Sequence, residues 1–379
     1  PSVIGFAAII AVFLPMILDV TYAESVYRAL SFLVISCPCA LVVSVPLSFF
    51  AGIGTAAKHG VLVKGSSVLE DLAGISQIAY DKTGTITDGS FEISVQGSEK
   101  TLEYAAYAEA FSSHPIAKSI KSAYGKKIDE NRVCNCKEVA GFGITAVLDE
   151  KPLLCGRIEL LESAGIKKSG DINKICTKSS SSAEIYVGYD KNFVGTIKLK
   201  EKIKPETECA FKKNRKLGIK KQIILSGDCF SAVNEISKNV GADGFFARLM
   251  PDEKAKKVIE LKKCGKVAFV GDGINDAPVL TAADVGIAMG GLGSEAAIDA
   301  SDAVIMGDSL KKIPFAIELS RKVCKIAKIN IIFVIFIKFL ILLLSAAGIV
   351  GMWAAVFADV GALIIAVLNS MTIFFKSEK

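Results

Sequence analysis

Asp81 heads the run Asp81-Lys82-Thr83-Gly84-Thr85-Ile86-Thr87, directly behind the apolar residues 77–80. A carboxylate at the end of a strand-like segment is placed to attack a phosphoryl group and form an acyl phosphate. The residue two places on decides how long that intermediate lasts. A second Asp there would act as general acid and then activate water, whereas Thr83 can do neither, so the acyl phosphate persists. A persistent phosphoenzyme suits a machine that must change shape before hydrolysis.

Two further runs end in the same way. Gly271-Asp272-Gly273-Ile274-Asn275-Asp276 follows the apolar residues 267–270, and Ser226-Gly227-Asp228 follows 221–225. Mg²⁺ takes one or two carboxylates together with phosphate oxygens and water. Asp272 is therefore the expected metal ligand beside Asp81, with Asp276 in support. Ser226 and Gly227 offer a hydroxyl and a backbone N–H to phosphoryl oxygens, and Lys254 can neutralise charge on the transferring group. Short apolar runs that end in acidic or Gly-Asp motifs are the pattern of a doubly wound parallel sheet with its site at the carboxyl ends of the strands.

A second group of residues points to a flat ligand. Glu109, Ser112-Ser113-His114-Pro115 and Gly141-Phe142-Gly143 combine a neutral imidazole, which can stack or hydrogen-bond, with glycines that let backbone come close. They fall in residues 91–194, where the Ser-rich stretch 178–182 and the turn pairs Asp149-Glu150 and Asp190-Lys191 indicate an inserted α+β module. A third group lies in apolar sequence. In Cys37-Pro38-Cys39 the proline removes a helix hydrogen bond, frees carbonyls and turns two thiols toward one cavity. Thiolates select Zn²⁺, Cd²⁺, Pb²⁺ or Cu⁺ over Mg²⁺ and Ca²⁺. Lys338 and Asp359 are ionisable residues inside apolar runs, each costing about 2.5–3.5 kcal/mol on insertion scales. Asp359 would add a hard oxygen to the two thiolates, which suits a divalent ion better than Cu⁺, and Lys338 would be a tethered counter-charge when the ion has left.

The elements that must hold these groups follow from where the hydrophobicity sits. The 379 residues are 51% hydrophobic, and 45 Lys+Arg against 39 Asp+Glu leave a formal charge of +6. The mean hydropathy of +0.45 is too apolar for an ordinary soluble enzyme. A small charge excess without a basic stripe excludes nucleic acid as the expected partner. Residues 3–18, 29–50, 329–349 and 352–375 are apolar runs near the roughly 20 residues that span a bilayer, and they form two hairpins around a polar middle. Lys58, His59 and Lys64 after the first pair, and Arg321, Lys322, Lys325 and Lys328 before the second, with Lys376 at its end, put that middle in the cytoplasm. Ten cysteines without a secreted-type framework are read as reduced thiols. Cys134-Asn135-Cys136 alone cannot close a zinc site. Residues 51–74 join the Cys-Pro-Cys helix to Asp81 and are the expected mechanical link. The chain opens at Pro1 on an apolar segment and reads as a piece of a longer protein.

Asp81–Thr87 taken with Gly271–Asp276 resembles the P-type ATPases. The resemblance implies a multidomain membrane protein in which α-helical transmembrane hairpins flank an α/β haloacid-dehalogenase-like phosphorylation domain with an inserted α+β nucleotide-binding domain. The expected division is 1–66 for the first hairpin and stalk, 67–92 and 196–318 for the phosphorylation domain, 93–195 for the insertion, and 319–379 for the last hairpin. It implies that Asp81 is phosphorylated, that Thr83 gives a backbone carbonyl and Asp272 a carboxylate to Mg²⁺, and that Lys254 and Asn275 contact the phosphoryl group. Lys82, Ser226, Gly227, Asp228 and Asp276 complete the catalytic set. Ser226 stands where Thr is usual and Glu201 where Asp is usual. In the heavy-metal branch Glu109, His114, Pro115, Gly141, Gly143 and Gly156 would hold ATP, with Arg157 in place of the usual Asn. Asn330, Lys338, Asp359 and Gly361 match the zinc/cadmium/lead class in type and spacing. The expected partners are ATP, soft divalent ions and the lipid bilayer, and the expected place is an integral position in a bacterial plasma membrane. No Thr-Gly-Glu actuator motif occurs in the sequence, so the actuator and preceding helices would belong to the rest of the same protein.

Overall fold

The computed structural model describes residues 2–17, 20–166, 183–272, 276–290, 295–347 and 349–375. Asn275, Lys376, Cys176 and the Ser-rich run 178–182 lie outside the described residues.

Among the described residues, the polar middle of the chain is built on two sheets. The first has seven strands in the order β1 (Val61–Val63), β13 (Ala303–Ile305), β12 (Val285–Met289), β11 (Val267–Gly271), β2 (Gln77–Asp81), β9 (Lys221–Leu225) and β10 (Gly244–Phe246). All neighbours are parallel except β1, which runs antiparallel along β13. Every residue of β2, β11 and β12 is buried. This explains why they read as continuous apolar runs and not as alternating ones: helices cover both faces. The register places Asp81 opposite Leu225 and Tyr80 opposite Val270, so the motifs after β2, β9 and β11 emerge at one edge.

The second sheet is antiparallel, in the order β3 (Thr87–Gly97), β8 (Asn192–Ile203), β7 (Ala183–Tyr189), β6 (Lys151–Gly156), β5 (Gly143–Leu148) and β4 (Val133–Val139). The helices Thr101–Ala108 and Pro115–Tyr124 supply buried residues such as Ala105 and Ile120 to its core. The paired strands β3 and β8 carry the chain out of the first sheet and back, and the expected borders near residues 92 and 195 fall inside them. Within this sheet Gly143 and Gly156 face each other across β5 and β6. A Cβ on Gly156 would lie 2.1 Å from the Phe142 carbonyl oxygen and 2.7 Å from the Gly143 Cα. Backbone cannot retreat from such a contact as a flexible side chain can. Gly156→Ala is therefore expected to destabilise the inserted unit by about 3 kcal/mol, read as a lowered thermal transition; an unchanged transition would show that the β5–β6 pair can open.

Among the described residues, five helices form the apolar part: Ser2–Ile17, Tyr22–Ile35, Cys39–Lys58, Lys312–Ala346 and Met352–Phe375. The stretches Tyr22–Lys58, Lys312–Ser345 and Met352–Phe374 are long and apolar enough to cross a membrane, while Val3–Ile17 is apolar but shorter. The apolar run 29–50 is not one helix. It breaks at residues 36–38, where Pro38 has ψ 38° and the next helix begins at Cys39. The last hairpin also differs from its hydrophobic run, since its first helix starts at Lys312, well before residue 329. The extra turns carry lysines yet bury Ala316, Leu319 and Val323 against Leu69 and Val61. Hydropathy alone does not register an amphipathic cytoplasmic extension of this kind. Gly52 sits so close to this helix that a Cβ there would lie 2.6 Å from Val323 Cγ2.

Candidate active site and membrane ion site

Asp81 ends β2 and is 6% exposed. The helix Pro251–Lys262 brings Lys254 across the strand ends, its Nζ 2.5 Å from Asp81 Oδ1 and 3.0 Å from Asp276 Oδ1. Burial pushes the Asp81 carboxyl up to about 7, the charges of Asp276 and Asp272 add to the rise, and Lys254 opposes it. Burial also penalises the Lys254 ammonium, but the carboxylates of Asp81 and Asp276 outweigh this and hold its pKa above the usual value. Asp81 and Asp276 thus act on one ammonium while Asp272 adds its charge to Asp81, an excess of carboxylates that fits a divalent cation. The loop after Asp81 makes room for Asp272. Gly84 adopts φ +72°, and a Cβ on it would lie 2.8 Å from Asp272 Oδ2. Asp81, Asp272 and the Thr83 backbone are the groups that would hold Mg²⁺ here, Thr83 being exposed in extended conformation.

Lys82 is 1% exposed and ion-paired with Glu201 of β8 and with Asp228. It therefore ties the catalytic loop to the returning strand of the insertion. Ser226, 3% exposed, accepts a hydrogen bond from the Asp228 N–H at 3.1 Å and donates to its Oδ2 at 3.2 Å. This turn keeps the hydroxyl beside Gly227 at the site edge.

Lys204 escaped the reading of the sequence, because a lysine ordinarily marks a surface. It is 5% exposed. Its Nζ donates to the Gly84 carbonyl at 2.8 Å and pairs with Asp308 Oδ1 at 2.7 Å. Its backbone N–H also holds the Ile86 carbonyl. Lys204→Met is expected to slow acyl-phosphate formation about tenfold, the worth of one charge-assisted hydrogen bond, and Lys204→Arg to restore most of it. Equal rates in all three forms would deny Lys204 any role in setting the loop.

In the inserted unit, Glu109, Ser112, His114, Gly141, Gly143 and Gly156 line one cavity of about 380 Å³, together with Phe142 and Arg157. His114 caps the helix Pro115–Tyr124, its Nδ1 accepting from the Ile116 N–H at 3.2 Å, so the ring proton belongs on Nε2. Pro115 occupies the first helical turn, where its missing N–H costs nothing. Burial raises the Glu109 acid. Gly156 serves the close approach of β5 and β6, and Arg157 donates its N–H to the Phe142 carbonyl at 2.7 Å. The Phe142 ring, 46% exposed at the cavity, adds an aromatic face that glycine spacing did not reveal.

In the apolar part, Lys338 Nζ hydrogen-bonds the Ile35 carbonyl at 3.3 Å and the Cys37 carbonyl, two groups freed by the break at Pro38. The same Nζ is 2.9 Å from Asp359 Oδ1, an ion pair that leaves that oxygen without an aligned hydrogen bond. Cys39 lies beside Cys37 and within reach of the charges of Asp359 and Lys338. The expected four residues thus meet at one level, with the ammonium on the carboxylate. Among the described residues no three His, Cys, Asp or Glu side chains converge as a metal cluster. Asn330 lies apart from them. It donates to the Ala366 carbonyl at 3.1 Å and to Ser370 Oγ at 2.9 Å, and accepts from Asn369 at 2.7 Å, which fastens the two last helices together.

Comparison with known proteins adds four likenesses. Residues 75–284 match the family model of the haloacid dehalogenase-like hydrolases. The chain is 42% identical over its full length to the cadmium, zinc and cobalt-transporting ATPase of Bacillus subtilis (strain 168), covering 55% of that protein, and 39% identical over 93% of its length to the zinc-transporting ATPase of Synechocystis, covering 49%. It thus spans about half the length of the curated relatives it matches. Among solved structures, a zinc-transporting PIB-type ATPase in its E2.Pi state superposes with a TM-score of 0.87 at 30% identity, over 99% of this chain and 62% of that one.

Proposed function

The chain belongs to the haloacid dehalogenase-like hydrolases, in the branch of metal-transporting P-type ATPases, and from that premise we propose that it carries the catalytic and ion-binding parts of an ATP-driven exporter of a soft divalent ion such as Zn²⁺, Cd²⁺ or Pb²⁺. The observation that carries this reading is Asp81, buried at a strand end and held by Lys254 between two further carboxylates. ATP seated against Phe142 and His114 presents its terminal phosphoryl group to Asp81. The Asp81 oxygen forms a bond to phosphorus as the bond to ADP breaks, and Lys254 balances the added charge. Mg²⁺ held by Asp81, Asp272 and the Thr83 carbonyl would supply charge neutralisation to the phosphoryl oxygens. Thr83 has no acid to give, so the acyl phosphate outlives the transfer.

In the membrane, an ion bound by Cys37, Cys39 and Asp359 displaces Lys338 from the carboxylate, and on release Lys338 returns. Moving a doubly charged ion against an inside-negative potential costs about 2.3 kcal/mol per charge per 100 mV, which a passive thiol site cannot supply. The relatives are bacterial, and we place the protein in the bacterial plasma membrane with both sheets in the cytoplasm. Radioactive phosphate from ATP should enter the complete transporter in step with added Zn²⁺ or Cd²⁺. Incorporation driven by Cu⁺ alone would make the cargo copper, and incorporation blind to metal would make the protein a membrane-tethered phosphatase.

A further inference from the structure

The helix Lys312–Ala346 is 35 residues long, about 52 Å at 1.5 Å per residue, against a hydrocarbon core of about 30 Å. Its cytoplasmic end must therefore stand clear of the lipid. Lys338 meets the Cys-Pro-Cys break and Asp359, at the level of the ion site. Lys328 lies ten residues toward the cytoplasm, about 15 Å along the axis, which sets it at the boundary between acyl chains and headgroups.

At that boundary is a groove of about 360 Å³ lined by Ala73, Arg321, Lys325, Lys328, Ile329 and Ile332, with Cys324 at its floor. Arg321 is fully engaged, bonding the carbonyls of Ala73, Ile75 and Leu217, so it forms a fixed wall. Lys325 and Lys328 are exposed, and among the described residues neither has a hydrogen bond or an ion pair. Glu70, from the neighbouring helix, and Lys328 both act on the Cys324 thiol, and among the described residues Glu70 forms no ion pair with either lysine. One turn deeper, Ile329 is 47% and Ile332 68% exposed. Two free ammoniums stacked above bare aliphatic surface ask for a ligand that is anionic at one end and hydrocarbon below.

We propose that this groove binds the headgroup phosphate of an anionic phospholipid from the cytoplasm-facing leaflet, Lys325 and Lys328 taking the phosphate while Ile329 and Ile332 line the acyl chains. Charge complementarity and continuity with the apolar belt select a lipid over a soluble acidic partner, which would leave the isoleucines uncovered. Each lysine near such a surface contributes about fivefold in affinity. The test uses the full chain in detergent with phosphatidylglycerol or phosphatidylcholine added, and bound lipid counted by native mass spectrometry. Lys325→Gln with Lys328→Gln is expected to weaken phosphatidylglycerol retention about 30-fold. Lys126→Gln with Lys127→Gln, which removes the same charge from the distant inserted unit, should leave it unchanged, and phosphatidylcholine should not be retained by any form. Equal retention of phosphatidylglycerol by the Lys325/Lys328 variant and the unaltered chain would overturn the proposal. So would an equal loss in the distant control, equal retention of phosphatidylcholine, or displacement of the lipid by inorganic phosphate alone. None of these results depends on whether the chain is phosphorylated, so failure here and failure of the export reading are separable.

Discussion

Asp81→Asn is expected to abolish acyl-phosphate formation and at the same time to make the fold more stable at neutral pH. The first effect follows from chemistry. An amide oxygen is no nucleophile toward phosphorus, and no other carboxylate at the site can replace it, since Asp276 is held by Lys254 and Asp272 lies against Gly84. Label from ATP should fall by at least about a thousandfold. The second effect follows from burial. The folded-state acid titrates at about 7, above its ordinary value of 3.8. The folded chain therefore binds a proton more tightly than the unfolded one, and stability falls as pH rises from about 4 through 7. An asparagine carries no such penalty. The variant should match the parent in thermal transition near pH 4, gain on it steadily to pH 7, and keep the advantage above that. Added Mg²⁺ should narrow the gap by stabilising the parent alone. A gap that is constant with pH would show that the carboxylate is not the strained group.

The second large effect concerns the membrane cage. Cys37→Ser with Cys39→Ser keeps the side-chain shape but replaces two soft donors with smaller, more polar and weakly basic hydroxyls, which do not compete with water for Cd²⁺ or Zn²⁺. Loss of the hydrogen-bonded neighbours of metal ligands commonly costs 10–100-fold, so loss of the ligands themselves should exceed about 100-fold in Cd²⁺ affinity by equilibrium dialysis. Binding of a nucleotide analogue in the inserted cavity should be unchanged. Lys338 is paired with Asp359; if, as proposed, an ion must displace it, Lys338→Met should move the other way, binding the ion more tightly and releasing it more slowly. Retained Cd²⁺ affinity in the double serine variant would move the ion site elsewhere.

What could be read from the chain and what could not divides along physical lines. Asp81, Asp272 and Ser226 were legible because a buried parallel strand is a continuous apolar run, and its carboxyl end is where the first polar residues fall. The Cys-Pro-Cys break was legible because proline has one local meaning in a helix. Lys204 with Asp308, and the pairing of Lys82 with Glu201 and Asp228, were not, since each joins residues far apart in sequence through tertiary contacts alone. The start of the last hairpin at Lys312 was missed because its charged face looks like the end of a membrane run. Glycine spacing pointed to residues that line one cavity of the inserted unit, but Gly143 and Gly156 also answer to the packing of two backbones.

The short strand β1 has a consequence for how force would travel. It follows the Cys39–Lys58 helix and pairs over three residues with β13, and β13 leads within seven residues into the Lys312–Ala346 helix. Both walls of the proposed ion site are thus hung from the same rim of the sheet whose interior strand β2 carries Asp81. A tilt of that sheet cannot pull one wall without the other, so the two thiols and the ammonium would travel as a yoked pair, and the ion's surroundings would open or close by rotation of the yoke more than by bending of either helix.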